Sequence, residues 1–367
     1  MVIIFCFLLP NEGLSLSDTA ITGILGARLF ASRSSKNVGW IAGYNDPTAA
    51  KMLGEMRRWK KVTTHQKPVQ TASGKLTIDE SYQNSKFTVS SYNYRKLPVP
   101  TNVGDLRNHP DLLGAEIFHL VSDPNDIPRV VGEIIQAREQ LAQNSRPRFI
   151  WEPPAHACNK TSQEAMISAL PFIDVFSPTY KQFLGFFGHP KGVRRFLTWI
   201  RRCFNASVLR EALMTELAKE IVGKVGPEGE GCLVIRAEES GTYLYAPEAL
   251  LPHGVLHVPA YHTILNLARK VVDTTGAGSC FLGGFAMGMR EGFLQGSIWG
   301  TVAASFAVEQ FGLPIHDEQL MPDETWNGDA VRHRVSEFMT TAGFGQQDKE
   351  DAQPQNGLPL PGQTNAY

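Results

Sequence analysis

Short apolar runs rich in β-branched and aromatic residues alternate with helical segments along the middle of this chain. Runs of this kind are typical of a mostly parallel sheet that is covered by helices on both faces. The predicted strands are 114–122, 148–153, 172–179 and 231–237, and the predicted helices are 126–143, 163–170 and 211–223. With 367 residues, of which 43% are hydrophobic, the chain can bury the core that such an α/β fold requires.

The four predicted strands end at Ser122, Glu152, Pro178 and Ala237. The carboxyl ends of parallel strands meet at one edge of a sheet, and ligands of open α/β sheets bind in the crevice outside that edge. We therefore expect a ligand crevice near these four residues.

Segments at both ends and near residue 80 differ from this pattern. Residues 60–100 are polar and β-leaning without helical periodicity, which predicts a small antiparallel lid. Residues 344–367 are rich in Gln, Pro, Gly and Asn, so we expect one α/β domain over 1–343 followed by a disordered tail. The apolar run 2–9 is either a first buried strand or a signal-peptide-like segment that lacks a basic start.

Charge and cysteine content bear on the partners, the metal ligands and the cellular location to be expected for this chain. The formal net charge is −1, and the Lys/Arg clusters at 56–61 and 192–202 are interpreted as solvated faces, so no nucleic-acid partner is predicted. The five cysteines include no C-x-x-C pair, which favours reduced thiols and a cytoplasmic location, and no residue is singled out as a metal ligand. No apolar run reaches the ~18 residues that cross a bilayer, so no membrane association is expected.

The stretch VVDTTGAGSCFLGGF, residues 271–285, is interpreted as a strand end that runs through a glycine-rich turn into a helix starting at Ser279. Gly276 and Gly278 permit backbone conformations in which successive amides converge on one point. The following helix adds its own unpaired amides and positive dipole end, so the turn predicts a site for a phosphate group. The alternative is a plain strand-to-helix turn with Ser279 as its N-cap.

Small residues recur at helical spacing in the two helices predicted after this turn. They are Gly283, Gly284 and Gly288 in the first helix and Ser297, Gly300, Thr301, Ala304 and Ser305 in the second. Because each glycine lowers helix stability by ~1 kcal/mol relative to alanine, the stripes indicate a close approach of backbone, either to a neighbouring element or to a flat ligand. Cys280 is either a thiol activated by the helix N-terminus or an ordinary buried cysteine.

The glycine turn and the segment after it resemble a known family. Asp273, Thr274, Gly276, Ala277, Gly278 and Phe281 match the signature D-T-x-G-A-G-D-x-F of the PfkB/ribokinase family of carbohydrate and nucleoside kinases. Within it the chain is most similar to the fungal branch related to double-stranded RNA killer virus maintenance proteins, through GARLF (26–30), WEP (151–153), SPT (177–179) and SFAVEQFGLP (305–314). The resemblance implies a ribokinase-like, three-layer α/β fold with a mostly parallel sheet between helices and a small β lid.

The resemblance also implies roles for the residues of the turn. In that family the G-A-G backbone forms the anion hole for the transferred phosphoryl group, and the Asp after it takes the proton from the substrate hydroxyl. The hole then falls on Gly276–Gly278 and the base position on Ser279, a hydroxyl that cannot accept a proton at neutral pH. Asp273 and Thr274 are assigned to the cofactor site, Asp273 either in direct contact with it or as support for the turn.

Two more elements of the family's nucleotide side are altered here. The N-x-x-E element is matched by Thr179 and Gln182, and the G-x-x-G turn is matched by Glu238 and Gly241. The family uses ATP and Mg²⁺, and we expect weaker magnesium binding because Gln182 replaces a carboxylate. Glu238 is expected to repel phosphates, and the glycine-glycine signature of the family's sugar pocket is not recognisable near the amino terminus.

Two functional hypotheses follow from these matches and departures. The first is an ATP-dependent kinase that phosphorylates a hydroxyl of a sugar or nucleoside, with activity reduced because Ser279 occupies the base position. The second is a non-catalytic pseudokinase that keeps the fold and binds a nucleotide or a protein partner.

Overall fold

The computed structural model describes residues 3–7, 16–31, 38–42, 62–66, 76–83, 86–94, 103–143, 145–188, 206–317 and 324–344. The two Lys/Arg clusters at 56–61 and 192–202 and all of the predicted tail after Phe344 lie outside these residues. Within the described part, no helix is both long and apolar enough to cross a membrane.

Thirteen strands form three sheets in this part of the chain. The strands are β1 Ile3–Phe7, β2 Val38–Ala42, β3 Val62–Gln66, β4 Leu76–Gln83, β5 Lys86–Tyr94, β6 Ile117–Val121, β7 Arg148–Glu152, β8 Val175–Phe176, β9 Cys232–Arg236, β10 Thr242–Tyr245, β11 Val255–Val258, β12 His316–Asp317 and β13 Thr325–Trp326. The main sheet has the order β11-β10-β9-β8-β7-β6-β1-β2-β3, while β4 pairs with β5 and β12 with β13. All neighbours from β3 to β9 are parallel, and β10 and β11 are antiparallel.

Helices lie on both faces of the main sheet. They are α1 Leu16–Leu29, α2 Val103–Arg107, α3 Pro110–Leu113, α4 Ile127–Glu139, α5 Gln163–Ala169, α6 Tyr180–Phe186, α7 Ala206–Lys219, α8 Tyr261–Ile264, α9 Ala277–Gly288, α10 Phe293–Ala307 and α11 Val331–Thr341. One apolar core contains residues of α1, α9 and α10, and the other contains residues of α2 to α7.

Successive residues of the central strands enter opposite cores, as the period of two in a β-strand requires. In β7, Ile150 packs into the core with α9, while Phe149 and Trp151 pack into the core with α4. In β9, Val234 packs into the core with α9 and Leu233 packs into the core with α4. Strands that are buried on both faces read as continuous apolar runs, which is why the sequence reveals them.

The predicted strands and helices are confirmed with shifted bounds. The run 172–179 gives only β8, Val175–Phe176, because Leu170–Phe172 forms a 3₁₀ turn before it. The apolar amino-terminal run forms β1, which pairs with β2 and β6 inside the sheet, in agreement with the strand interpretation. The segment 60–100 is divided, since β3 joins the main sheet and only β4 and β5 form a separate antiparallel hairpin.

The small residues of α9 lie where backbones of neighbouring helices approach closely. A methyl group on Gly283 would lie 2.6 Å from the amide nitrogen of Ala27 in α1. A methyl group on Gly284 would lie 2.6 Å from the carbonyl oxygen of Trp299 in α10, and one on Gly300 would lie 2.8 Å from the Phe281 ring. The close approach that the stripes predict is therefore made to neighbouring helices.

Candidate functional site

The glycine turn joins an irregular surface segment to helix α9. Gly276 is the N-cap of α9 and has a φ of 76°, in the left-handed region that favours glycine. The helix begins at Ala277, so the predicted start at Ser279 was wrong by two residues. The predicted strand before the turn was also wrong, because the amides of Val272 and Asp273 donate to the carbonyl oxygen of Val308 instead of to a sheet.

Three amides at this turn have no hydrogen-bond acceptor within the described part of the chain. The amide of Ala277 donates to the Thr274 carbonyl oxygen at 3.2 Å. The amides of Gly276, Gly278 and Ser279 make no such bond. The first amides of a helix carry its positive dipole end, and they are suited to binding an anion when nothing else satisfies them.

Asp273 supports the turn from within. Its carboxylate oxygen Oδ1 accepts a hydrogen bond from the amide of Thr275 at 2.9 Å. Thr274 is exposed and contributes its carbonyl oxygen to the first turn of α9. This geometry corresponds to the supporting role of Asp273, and a direct contact of Asp273 or Thr274 with a cofactor stays a prediction.

Ser279 and Cys280 occupy the third and fourth positions of α9. Ser279 is buried at 6% exposure, and its hydroxyl makes no hydrogen bond to the residues that the structure describes. Its place at the helix start brings no carboxylate to the turn. Cys280 is fully buried, its Sγ lies 3.3 Å from the Ala303 carbonyl oxygen, and burial raises the pKa of its thiol, as in an ordinary buried cysteine.

A buried cluster of charged and polar groups lies at the carboxyl ends of the central strands. Arg236 and Glu152 are the last residues of β9 and β7, and their Nη1 and Oε1 atoms are 2.8 Å apart. The other carboxylate oxygen of Glu152 lies 3.1 Å from Nε2 of His119 in β6. Arg236 also donates through Nη2 to the Ser177 carbonyl oxygen at 2.9 Å. Of the four strand ends that the sequence assigns to a crevice, those at Glu152, Pro178 and Ala237 lie beside Arg236.

The Glu152 carboxylate is ionised at neutral pH. Burial by itself raises its pKa, but the Arg236 charge and the contact with His119 outweigh burial and lower the pKa to about 2. A general base works best when its pKa lies near the working pH. Glu152 is therefore too weak a base to replace the carboxylate that is missing at Ser279.

The guanidinium of Arg236 packs against the glycine turn. A methyl group on Gly278 would lie 2.5 Å from its Nη1 atom. Arg236 thus lies between the strand ends and the amino end of α9. Arg236 was not predicted as a site residue, although a charged residue at the end of the apolar run CLVIR is a usable signal.

Thr179 and Gln182 form a capping box at the start of α6. Thr179 Oγ1 accepts from the Gln182 amide at 3.3 Å, and Gln182 Oε1 accepts from the Thr179 amide at 2.7 Å. Gln182 also donates through Nε2 to the Pro153 carbonyl oxygen at 3.0 Å. The polar groups of this pair are consequently occupied within the protein.

The turn at the G-x-x-G position has Glu238 in place of the first glycine. Glu238 has a φ of 54° and Gly241 has a φ of 83°, both in the left-handed region. A methyl group on Gly241 would lie 2.7 Å from the amide nitrogen of Ala260, so this glycine is required. The Glu238 carboxylate lies 2.7 Å from Nζ of Lys181, which partly offsets the repulsion of phosphates that the sequence predicts.

The residues of the site offer a phosphate group several donors and offer a magnesium ion few free carboxylates. Among the residues described, no group of three or more His, Cys, Asp and Glu side chains could hold a metal ion. Two nearby carboxylates are already paired, Glu152 with Arg236 and Asp123 with His156, whose Nε2 lies 3.0 Å from Oδ1. Asp273 accepts one hydrogen bond through Oδ1, from the Thr275 amide. Magnesium favours anionic oxygens that are free to coordinate it. The unpaired amides and the guanidinium suit the phosphates of ATP instead.

The sequence is similar to two fungal proteins, and no family model matches it. Over 333 residues it is 25% identical to an uncharacterized protein of Schizosaccharomyces pombe, an alignment that covers 86% of this chain and 83% of that protein. Over 232 residues it is 26% identical to protein MAK32 of Saccharomyces cerevisiae, covering 62% of this chain and 58% of MAK32.

The fold is similar to that of kinases of known structure. The ribokinase from Giardia lamblia has a TM-score of 0.57 at 14% identity, over 85% of this chain and 96% of that one. An adenosine kinase from Anopheles gambiae, in complex with P1,P4-di(adenosine-5) tetraphosphate, has a TM-score of 0.54 at 16% identity, over 80% of each chain. The predicted resemblance is confirmed: the chain has the ribokinase-like fold of the PfkB/ribokinase kinases, and its relatives in sequence include the fungal protein MAK32.

Proposed function

We propose that this chain binds a nucleotide, ATP in the first place, through phosphate groups at the turn Gly276–Ser279. The observation that carries this proposal is the set of three amides without an acceptor at the amino end of α9. Binding of an adenosine polyphosphate by a protein of similar fold supports it. If the chain transfers a phosphoryl group, we propose that the group is accepted by a hydroxyl of a sugar or a nucleoside.

We further propose that phosphoryl transfer by this chain is slow. Phosphoryl transfer depends mainly on positioning and electrostatic stabilisation, which the turn can supply in part. The general base contributes a further factor of ~10²–10⁴, and neither Ser279 nor the strongly acidic Glu152 can provide it. The proton of the acceptor then passes to another carboxylate or to the transferred phosphate itself.

A second candidate function is nucleotide binding with no phosphoryl transfer at all. It is favoured by the capping box of Thr179 and Gln182, whose polar groups bond to the protein itself. In this case the chain is a pseudokinase that responds to nucleotide or presents its surface to a protein partner.

One comparison of variants separates these functions. ATP binding is measured by calorimetry, and phosphoryl transfer to a panel of sugars and nucleosides is measured for the unaltered chain and for Ser279→Asp. The exposed Ser168 in α5 provides the control Ser168→Asp, which adds the same charge far from the turn.

We expect ATP binding in the unaltered chain, with slow transfer that Ser279→Asp accelerates by ~10²–10⁴ and Ser168→Asp leaves unchanged. Binding without transfer in any variant selects the pseudokinase. Absence of nucleotide binding contradicts both candidates, and fast transfer by the unaltered chain contradicts the assigned defect at Ser279.

A further inference from the structure

We propose that Arg236 is the built-in cation of the phosphate site, so that the chain binds a phosphate group without a divalent metal ion. The inference rests on the proposed function and deepens it by naming the positive charge that faces the phosphate. It concerns binding, and it holds whether or not transfer follows.

The position of Arg236 is the first argument. Its Nη1 atom lies against Gly278, one of the three residues whose amides have no acceptor in the described part of the chain. The guanidinium and the amino end of α9 therefore face the same space at the carboxyl edge of the sheet. A phosphate group bound by these amides would lie within reach of the guanidinium.

Unused donors on Arg236 are the second argument. The guanidinium has five N–H groups, of which Nη1 serves Glu152 and Nη2 serves the Ser177 carbonyl oxygen. Arg236 is only 7% exposed. Its Nε atom is buried and has no acceptor among the described residues. Nη1 and Nη2 each carry a second N–H group for which the described residues provide no acceptor, and phosphate oxygens can supply one.

The support of Arg236 is the third argument. Glu152 and the Ser177 carbonyl oxygen hold the guanidinium in one place, and His119 contacts the far oxygen of Glu152. A side chain that is already ordered loses little conformational entropy when a ligand binds. Because Glu152 balances the charge of Arg236, we expect recognition to depend on directed hydrogen bonds more than on net charge.

The pairing of the carboxylates beside Arg236 completes the argument. Thr179 and Gln182, at the family's N-x-x-E position, hydrogen-bond to each other in the capping box, and Glu152 is paired with Arg236. A magnesium ion at Glu152 would have to compete with the guanidinium for that carboxylate. Arg236 thus supplies directed, charged hydrogen-bond donors to the phosphate at the place where the family relies on magnesium.

The test is calorimetric titration with inorganic phosphate, ADP and ATP, in EDTA and in excess magnesium. The key variant is Glu152→Met/Arg236→Met, which removes both charges and leaves none unpaired in the interior. The control is Arg146→Met, since Arg146 pairs with Asp174 at 2.8 Å near the opposite, amino-terminal edge of the sheet.

We expect the unaltered chain to bind ATP equally well in EDTA and in magnesium. The double variant should bind ~10–100-fold more weakly, as expected for loss of a charged hydrogen-bond donor, and Arg146→Met should bind unchanged. Binding of inorganic phosphate alone would identify free phosphate as a ligand. Binding of ADP and ATP without inorganic phosphate would assign the site to the nucleotide.

A thermal-shift measurement of Glu152→Gln keeps the inference testable if the double variant does not fold. Arg236 then lacks its carboxylate, and phosphate can take its place, so phosphate should raise the melting temperature of Glu152→Gln more than that of the unaltered chain. An equal or smaller shift overturns the inference. ATP binding that requires magnesium also overturns it while leaving the proposed function intact, whereas no binding in either condition overturns both.

Discussion

Because Glu152 and Arg236 form a buried ion pair, the free energy of unfolding of the protein should fall as the pH is lowered. The pKa of Glu152 falls from 4.5 to about 2 on folding, which corresponds to ~3 kcal/mol of stability at neutral pH. Glu152→Gln keeps the shape of the side chain and removes its charge, leaving Arg236 buried without its partner. We therefore expect the free energy of unfolding to fall by about 3 kcal/mol at pH 7.

The same difference should shrink on acidification. A group whose pKa is lower in the folded state stabilises the protein above its unfolded pKa, and this contribution is lost as the pH falls from 4.5 towards 2. At about pH 3.5 the unfolded chain has taken up most of a proton while the folded chain has not. The unaltered protein should then have lost ~1.4 kcal/mol of the contribution, so it exceeds Glu152→Gln by only about 2 kcal/mol.

The assay is urea unfolding of both proteins at about pH 7 and at about pH 3.5. The matched control is Glu133→Gln, which breaks an exposed pair with Arg129 on α4 and should change the free energy of unfolding by less than ~1 kcal/mol at either pH. A difference for Glu152→Gln that stays constant on acidification would refute an ionised Glu152. A difference near that of the control at pH 7 would refute the buried pair.

Two further substitutions test the turn and the capping box. Gly276→Ala should lower the free energy of unfolding by ~1–3 kcal/mol and weaken ATP binding, because a methyl group there meets Thr22 Cγ2 at 2.5 Å and the φ of 76° disfavours alanine. Urea unfolding and calorimetry measure both effects, and an unchanged stability would contradict the geometry of the turn. Thr179→Ala should cost ~1 kcal/mol through loss of the cap and leave the effect of magnesium on ATP binding unchanged in the same two assays. A changed magnesium response would place Thr179 at a metal site.

Much of the fold was predictable because the central strands are buried on both faces. Such strands leave continuous apolar runs, and β6, β7 and β9 lie inside the predicted ranges. The glycine turn was predictable for a different reason, since Gly276 occupies a backbone conformation that few other residues adopt. In both cases the structure follows from residues that are adjacent in the sequence, the apolar runs of the strands and the glycine of the turn.

The features that the sequence did not reveal depend on contacts between distant segments. Val271 and Val272 resemble a strand end, yet they are exposed, and the Val272 amide bonds to the end of α10. The contacts of Arg236 could not be predicted, because Glu152 and Gly278 come from distant parts of the chain and meet Arg236 only in the folded protein. A charge at the end of an apolar run shows that a partner is needed, but it does not say which residue that partner is.

The glycine contacts between α1, α9 and α10 have a consequence for how the proposed phosphate site adapts to a ligand. Gly283 and Gly284 bring backbone directly against backbone, so no side-chain rotamer is available to absorb a shift of α9. The amino end of this helix is therefore a fixed reference point within the molecule. Glu152 and the Ser177 carbonyl oxygen also hold Arg236 in place, so a ligand has to fit both parts of the proposed site as they stand.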